Sequence, residues 1–235
     1  MNVFAFVGSP RGEESTGNLF IKKVEKYVKE ANKDASFNIF RADKLNIRES
    51  DGSSEEFITG KTRFDDDMQI IEEALLKSDF IIFISPVYAH NISSQTKKLI
   101  DRLSYWLHIF RLVGKKGYAI SVSYNNGNEF VNSYLTEIMQ FFGIYVLGNM
   151  SIETGKINDN NNILESYARV LAKKIIMSQE TIDIDIPYQQ EKMFEHQKKQ
   201  HLESKIDSVE RKFWEENEYF KYKTFEELFI SRTNN

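Results

Sequence analysis

Residues 8–19 read GSPRGEESTGNL and follow directly on an apolar run, NVFAFV, at 2–7. The chemistry such a loop can do is anion binding. The hydroxyls of Ser9, Ser15 and Thr16, the amide of Asn18 and the backbone N–H groups of a loop feeding a helix N-terminus all donate hydrogen bonds, and Arg11 adds a fixed positive charge. Glu13 and Glu14 must then face water. Gly12 and Gly17 stand five apart, as in a triphosphate loop, but Asn18 and Leu19 occupy the positions where that loop needs Lys and Ser or Thr, which argues against ATP and GTP. Gly8 is followed by Ser9 and Pro10, so the dinucleotide pattern GxGxxG is absent too. One phosphate group fits what remains. The same residue types also build an ordinary strand-to-helix turn, and the loop alone leaves both readings open.

Two further stretches carry polar and aromatic groups. SPVYAHNISSQTKKLIDRL at 85–103 holds Pro86, Tyr88, His90 and Asn91, and SYNNGNE at 123–129 holds Ser123, Tyr124, Asn125, Asn126 and Gly127. His90, with an ordinary pKa near 6.5, suits either a proton donor or a surface side chain. Tyr124, Asn125 and Asn126 suit ligand contact or a turn. His196 and His201, five apart in a charged helix, do not share a face for a metal and read as solvated.

These loops need elements to position them. Apolar runs at 2–7, 36–41, 80–85, 117–123 and 144–150 read as strands, several apolar on both faces as in a covered parallel sheet. Helical spacing recurs between them, at Phe20, Val24, Tyr27, Val28 and Ala31 and at Met68, Ile71 and Leu75, with further helices at 93–110, 129–142 and 162–178. Five strands alternating with helices predict a doubly wound α/β three-layer sandwich. The polar stretch 42–65 is long for a strand-to-helix connection and reads as an excursion or mobile flap over the sheet edge.

GSPR at 8–11, Gly17-Asn18 and the SPVY…S…K…DR segment after the third strand resemble the NAD(P)H-dependent FMN reductases of the flavodoxin-like superfamily. The resemblance covers residues 1 to about 180. It implies strand order 2-1-3-4-5, with the ligand crevice between strands 1 and 3, where the order reverses. It also implies FMN as cofactor, NADH or NADPH as co-substrate, and hydride transfer through FMN N5 to a small acceptor such as a flavin, a quinone or a pathway metabolite.

By this resemblance Ser9, Arg11, Gly17 and Asn18 surround the FMN phosphate. Leu19 stands where the family has Thr or Ser, so Ser15 or Thr16 takes over that hydroxyl. Pro86, Val87, Tyr88, Ala89 and Asn91 wall the flavin ring, and the loop with Ser123, Tyr124, Asn125 and Gly127 approaches it. The flavin carries the chemistry, with Tyr88 and His90 as the side chains nearest to a catalytic role. Lys97, Asp101 and Arg102 match the family's helix and suit ion pairs equally well. The chain also resembles the iron–sulfur flavoprotein branch, which carries a cysteine cluster between strands 2 and 3, but it contains no cysteine, so a thiolate-held cluster is excluded.

Length and composition bound the rest. With 235 residues, 41% of them hydrophobic and 28% charged, the chain suits one domain at 1–182 and a helical extension at 183–235. A net charge of −4 offers no basic field for nucleic acid or an anionic membrane. Lack of cysteine and of a signal-like or membrane-spanning run leads to the expectation of a cytoplasmic protein with no disulfide and no metal site. In the extension, Leu202, Ile206, Val209 and Phe213 form a stripe that predicts one long amphipathic helix. Thr224 with Glu227 predicts the capped start of another. Trp214, Tyr219, Phe220, Tyr222, Phe225 and Phe229 read as anchors on the domain or on a neighbouring subunit of a homodimer or homotetramer. A flavodoxin-like electron carrier, and a binding protein that has lost its cofactor, remain the competing functions.

Overall fold

The computed structural model describes residues 1–157, 162–179, 184–204 and 206–233. Its centre is a five-stranded parallel sheet of β1 (Asn2–Val7), β2 (Ser36–Arg41), β3 (Phe80–Pro86), β4 (Lys116–Ser123) and β5 (Tyr145–Glu153), in the order β2-β1-β3-β4-β5. This is the flavodoxin-like arrangement. The runs VFAFV and FIIFI lie in the middle of the sheet and are buried throughout, because both faces of a parallel sheet must be covered.

On one face, α1 (Thr16–Ala31) and α7 (Asn162–Met177) pack Phe20, Val24, Val28, Ala168, Leu171 and Ile175 onto Val3, Ala5 and Val7. On the other, α3 (Met68–Lys77), α4 (Ser94–Arg102) and α5 (Asn128–Phe141) cover Phe4, Phe6, Ile81 and Phe83. Two short helices, α2 (Glu55–Thr59) and α6 (Thr154–Ile157), lie in connections. Among the described residues no helix is long and apolar enough to cross a membrane.

Several expectations need correction. The helix expected over 93–110 ends at Arg102, and residues Ser104–Ile109 tighten into a 3₁₀ helix that turns Tyr105, Trp106 and Ile109 inward. The fifth strand runs on to Glu153, paired with Ser123 at the end of β4. The 42–65 stretch is no loose flap, because the buried guanidinium of Arg102 pins it. Arg102 donates to Asp66 (2.5 Å), to the Arg48 carbonyl (3.0 Å) and to Thr62 Oγ1 (2.7 Å), with Glu56 at 3.4 Å. Arg48, Arg63 and Arg102 also stack about the Phe64 ring. Burial raises the Asp66 pKa, but Arg102 and the N–H groups of Arg48 and Met68 outweigh it and hold the carboxyl below its ordinary range.

The extension forms α8 (Tyr188–Glu203), α9 (Val209–Glu216) and α10 (Phe225–Thr233). The single long helix does not form. Ser204 and Ser208 each accept a backbone N–H two or three residues on, at 3.1 Å, and these local bonds compete with continued helix. Leu202 and Ile206 are left exposed, and the break turns Trp214 inward. Trp214 stacks on Phe194 at 5.3 Å and donates its indole N–H to the His108 carbonyl at 3.0 Å. Phe194, Trp214, Tyr219, Phe225 and Phe229 form one cluster with Ile109 and Phe110 of the sheet-bearing part, so these anchors serve the chain's own packing. His201 is also buried, 5.1 Å from the Trp214 ring, and not solvated. At α10, Thr224 Oγ1 accepts from Glu227 N (3.1 Å), and Glu227 reaches back to Lys223 N (2.7 Å). The boundary expected at 182/183 lies outside the described residues.

Candidate active site

The sheet order reverses between β1 and β3, and the loops beyond their carboxyl ends meet there. Gly8 makes the meeting possible. Its N–H donates to the Ile84 carbonyl (2.8 Å) and its carbonyl accepts from Ser93 Oγ (2.6 Å), while a Cβ at this position would fall 1.8 Å from Thr96 Oγ1. Ser93 Oγ shares a hydrogen bond with Thr96 Oγ1 (2.8 Å) and Ser93 N–H donates to Ser85 Oγ (3.0 Å), so a buried hydroxyl network ties the two loops together.

Ser15 caps α1, accepting from Asn18 N at 3.3 Å. The N–H groups of Thr16 and Gly17 then have no acceptor within the helix and stand at its positive end. Gly17 packs onto β3, where a Cβ would lie 2.9 Å from Ile84 Cγ2. The loop's acidic charge is drawn aside: Arg41 pairs with Glu13 and with Asp43, both at 2.7 Å, and holds the Glu13 carboxyl below its usual range.

A cavity of about 330 Å³ opens here. One end is polar, with Ser9, Arg11, Ser15, Thr16 and Gly17. The rest is largely apolar, with Val7, Ile84, Pro86, Val87 and Val122, and Tyr88, Ser123, Tyr124 and Thr154 complete the wall. Tyr88 and Asn91 exchange two backbone hydrogen bonds at 2.9 Å, closing a turn whose middle residues Ala89 (φ 48°) and His90 (φ 59°) are left-handed. Non-glycine residues adopt that conformation at a cost, which the surroundings must offset. The His90 ring stacks on Phe130 at 5.4 Å.

The sequence profile of NADPH-dependent FMN reductases matches residues 1–159. The chain belongs to this family. An iron-sulfur flavoprotein of Methanocaldococcus jannaschii is 31% identical over 163 residues, 68% of this chain and 78% of that protein. One of Archaeoglobus fulgidus is 32% identical over 100 residues, 41% of this chain but only 46% of that protein. Among solved structures, a putative quinone reductase from Klebsiella pneumoniae shares the fold with a TM-score of 0.60 at 15% identity, covering 77% of this chain and 86% of that one. Family membership makes the protein an FMN-dependent oxidoreductase of the FMN reductase type.

The residues present fit FMN. The free Thr16 and Gly17 amides at a helix N-terminus suit its phosphate, and the apolar slot suits its ring. Of the residues expected at the site, Ser9, Arg11, Ser15, Thr16, Gly17, Pro86, Val87, Tyr88, Ser123 and Tyr124 line this cavity. The others sit beside it. Asn18 is fully buried and donates to the Glu13 carbonyl at 2.9 Å, bracing the loop. Leu19 is exposed on α1, and Ala89, His90 and Asn91 form the outer turn. Asn125 is exposed. Gly127 (φ 80°) lets its loop lie against Val87, whose Cγ1 would be 2.8 Å from a Cβ there. Lys97 pairs with Asp101 on the surface, and Arg102 belongs to the buried network described above. The sequence reading missed Val7, Ile84, Val122 and Thr154. The first three are the last apolar residues of strands pointing at the switch point, a signal that was available. Thr154 follows β5, whose end the sequence placed three residues too early.

Proposed function

We propose that this protein oxidises NADH or NADPH at an FMN held in the β1/β3 cavity and passes the reducing equivalents to a small planar acceptor such as a flavin, a quinone or a pathway metabolite. The observation that carries this reading is one cavity with an anion-binding end at the start of α1 and an apolar slot walled by Pro86, Val87 and Tyr88. FMN would supply the hydride chemistry at its N5. The chain's own work is binding and orientation. Thr16 and Gly17 N–H, the Ser9 and Thr16 hydroxyls and Arg11 would hold the phosphate, while the Ser15 hydroxyl donates to the Gly12 carbonyl at 2.8 Å. Val7, Ile84 and Val122 would keep water from one side of the ring, and the exposed Tyr88 and Tyr124 leave room for a second planar molecule at the mouth.

The lack of cysteine removes the cluster named in its iron-sulfur flavoprotein relatives, so electrons must enter and leave through the flavin alone. The test is an anaerobic absorption spectrum of protein loaded with FMN, followed on addition of NADH and then NADPH. Rapid bleaching of the flavin bands by either nucleotide supports the proposal and names the donor. A bound flavin that stays oxidised with both refutes nucleotide oxidation and favours an electron carrier, and no FMN binding refutes the cofactor.

A further inference from the structure

The wall of the cavity beside β4 hides a polar chain that FMN binding as described above does not use. Ser121 and Ser123 face α5 from β4, and Asn128 is the first residue of α5. Ser121 Oγ donates to Asn128 Oδ1 at 2.8 Å, and Asn128 Nδ2 donates to Ser123 Oγ at 2.6 Å. All three side chains are buried.

The direction of this relay is decided at its inner end. Ser121 is fully buried, and among the described residues Asn128 is its hydroxyl's hydrogen-bond partner. Turning the amide over would make Ser121 an acceptor and strand its O–H in the core, a state that buried donors avoid. Ser121 therefore donates, Asn128 passes the polarity on, and Ser123 accepts. That leaves the Ser123 hydrogen for the cavity that Ser123 lines. The end of β4 is held still as well: Thr154 Oγ1 donates to the Ser123 carbonyl (3.1 Å) and Gly155 N to the Tyr124 carbonyl (2.9 Å).

We infer that Asn128 is a positioning residue that fixes Ser123 as a hydrogen-bond donor into the cavity, and that the group it meets is a carbonyl oxygen on the acceptor edge of the flavin ring. This inference rests on the FMN-binding reading. A donor at that edge stabilises the reduced, more electron-rich ring more than the oxidised one, so the relay tunes the cofactor's potential as well as its affinity.

The experiment measures FMN affinity by fluorescence quenching, and the potential of bound FMN by equilibration with a reference dye. It uses the full chain, Ser123→Ala, Asn128→Leu and the double variant. Loss of one neutral hydrogen bond predicts roughly three- to tenfold weaker FMN binding in Ser123→Ala. The potential shifts to more negative values, with each tenfold excess of effect on the reduced form read as about 30 mV for the two-electron couple. Asn128→Leu moves both quantities the same way by less, and the double variant matches Ser123→Ala because both act through one hydroxyl. Unchanged affinity and potential in Ser123→Ala overturn the inference, even if Asn128→Leu does not fold. Additive effects in the double variant overturn the positioning role of Asn128. Failure of the unmodified chain to bind FMN overturns the cofactor reading instead.

Discussion

Gly8→Ala probes the joint on which the site depends. An added Cβ would fall 1.8 Å from Thr96 Oγ1, with Thr96 Cβ at 3.1 Å and Phe6 Cε1 at 3.2 Å, so one side must shift by about 1 Å. Gly8 does not hold a left-handed φ, so the penalty is steric and not conformational. Overpacking of this kind costs about 1–3 kcal/mol. Displacing Thr96 also disturbs the buried bonds from Ser93 to Thr96 and to the Gly8 carbonyl, at about 1 kcal/mol each. Replacing Gly by Ala returns about 0.4–1 kcal/mol through the unfolded chain. The net expectation is destabilisation by about 2–4 kcal/mol, read as a lower urea midpoint with unchanged slope. FMN binding weakens in parallel, because the phosphate loop and the ring loop separate at this contact. Thr96→Ala in the Gly8→Ala background removes the closest atom and recovers more than half of both losses. A Gly8→Ala protein with native midpoint and native FMN affinity would refute the proposed coupling of the two loops, and a rescue that fails would refute its steric cause.

Two other perturbations test the surroundings. Arg102→Ala leaves the Asp66 carboxylate buried with only the N–H groups of Arg48 and Met68. It is expected to cost about 3 kcal/mol in chemical denaturation and to expose the 42–65 stretch to protease first. His201 has its pKa lowered by burial, with Arg211 adding to the effect and Glu210 and a hydrogen bond to the His108 backbone opposing it, so the unfolded chain binds a proton that the folded one refuses. Its neutral form is compatible with folding above the ordinary histidine pKa of about 6.5, and stability is lost as pH falls below that value toward the folded pKa. His201→Gln should therefore flatten the acid limb of a melting-temperature profile, and an unaltered limb would show that His201 does not govern it. The His108–Glu210 pair works in the opposite sense, since its raised His108 pKa gives stability below the same value that fades as pH rises through the folded pKa.

The sheet was legible because it rests on local rules, and the two loops of the cavity because their motifs resemble those of a known family. Apolar runs such as VFAFV can be buried only where both faces are covered, and GSPR with Gly17 and SPVY mark the two loops that the strand order brings together. The reading failed where a local pattern was overruled by contacts distant in sequence. The stripe from Leu202 to Phe213 has helical spacing, yet Ser204 and Ser208 break it and Trp214 docks on His108 and Phe194.

By itself, then, the sequence determined the element order, the absence of thiolate chemistry and the residue types offered to an anion. Each of these follows from composition or from a period of two to four residues. The tertiary structure decided which polar groups satisfy one another: Arg102 with Asp66, Ser93 with Gly8, and Asn128 between Ser121 and Ser123. Those pairings depend on which chain segments meet once the core is packed. A buried donor must find its acceptor in three dimensions, and no spacing along the chain records which one it finds.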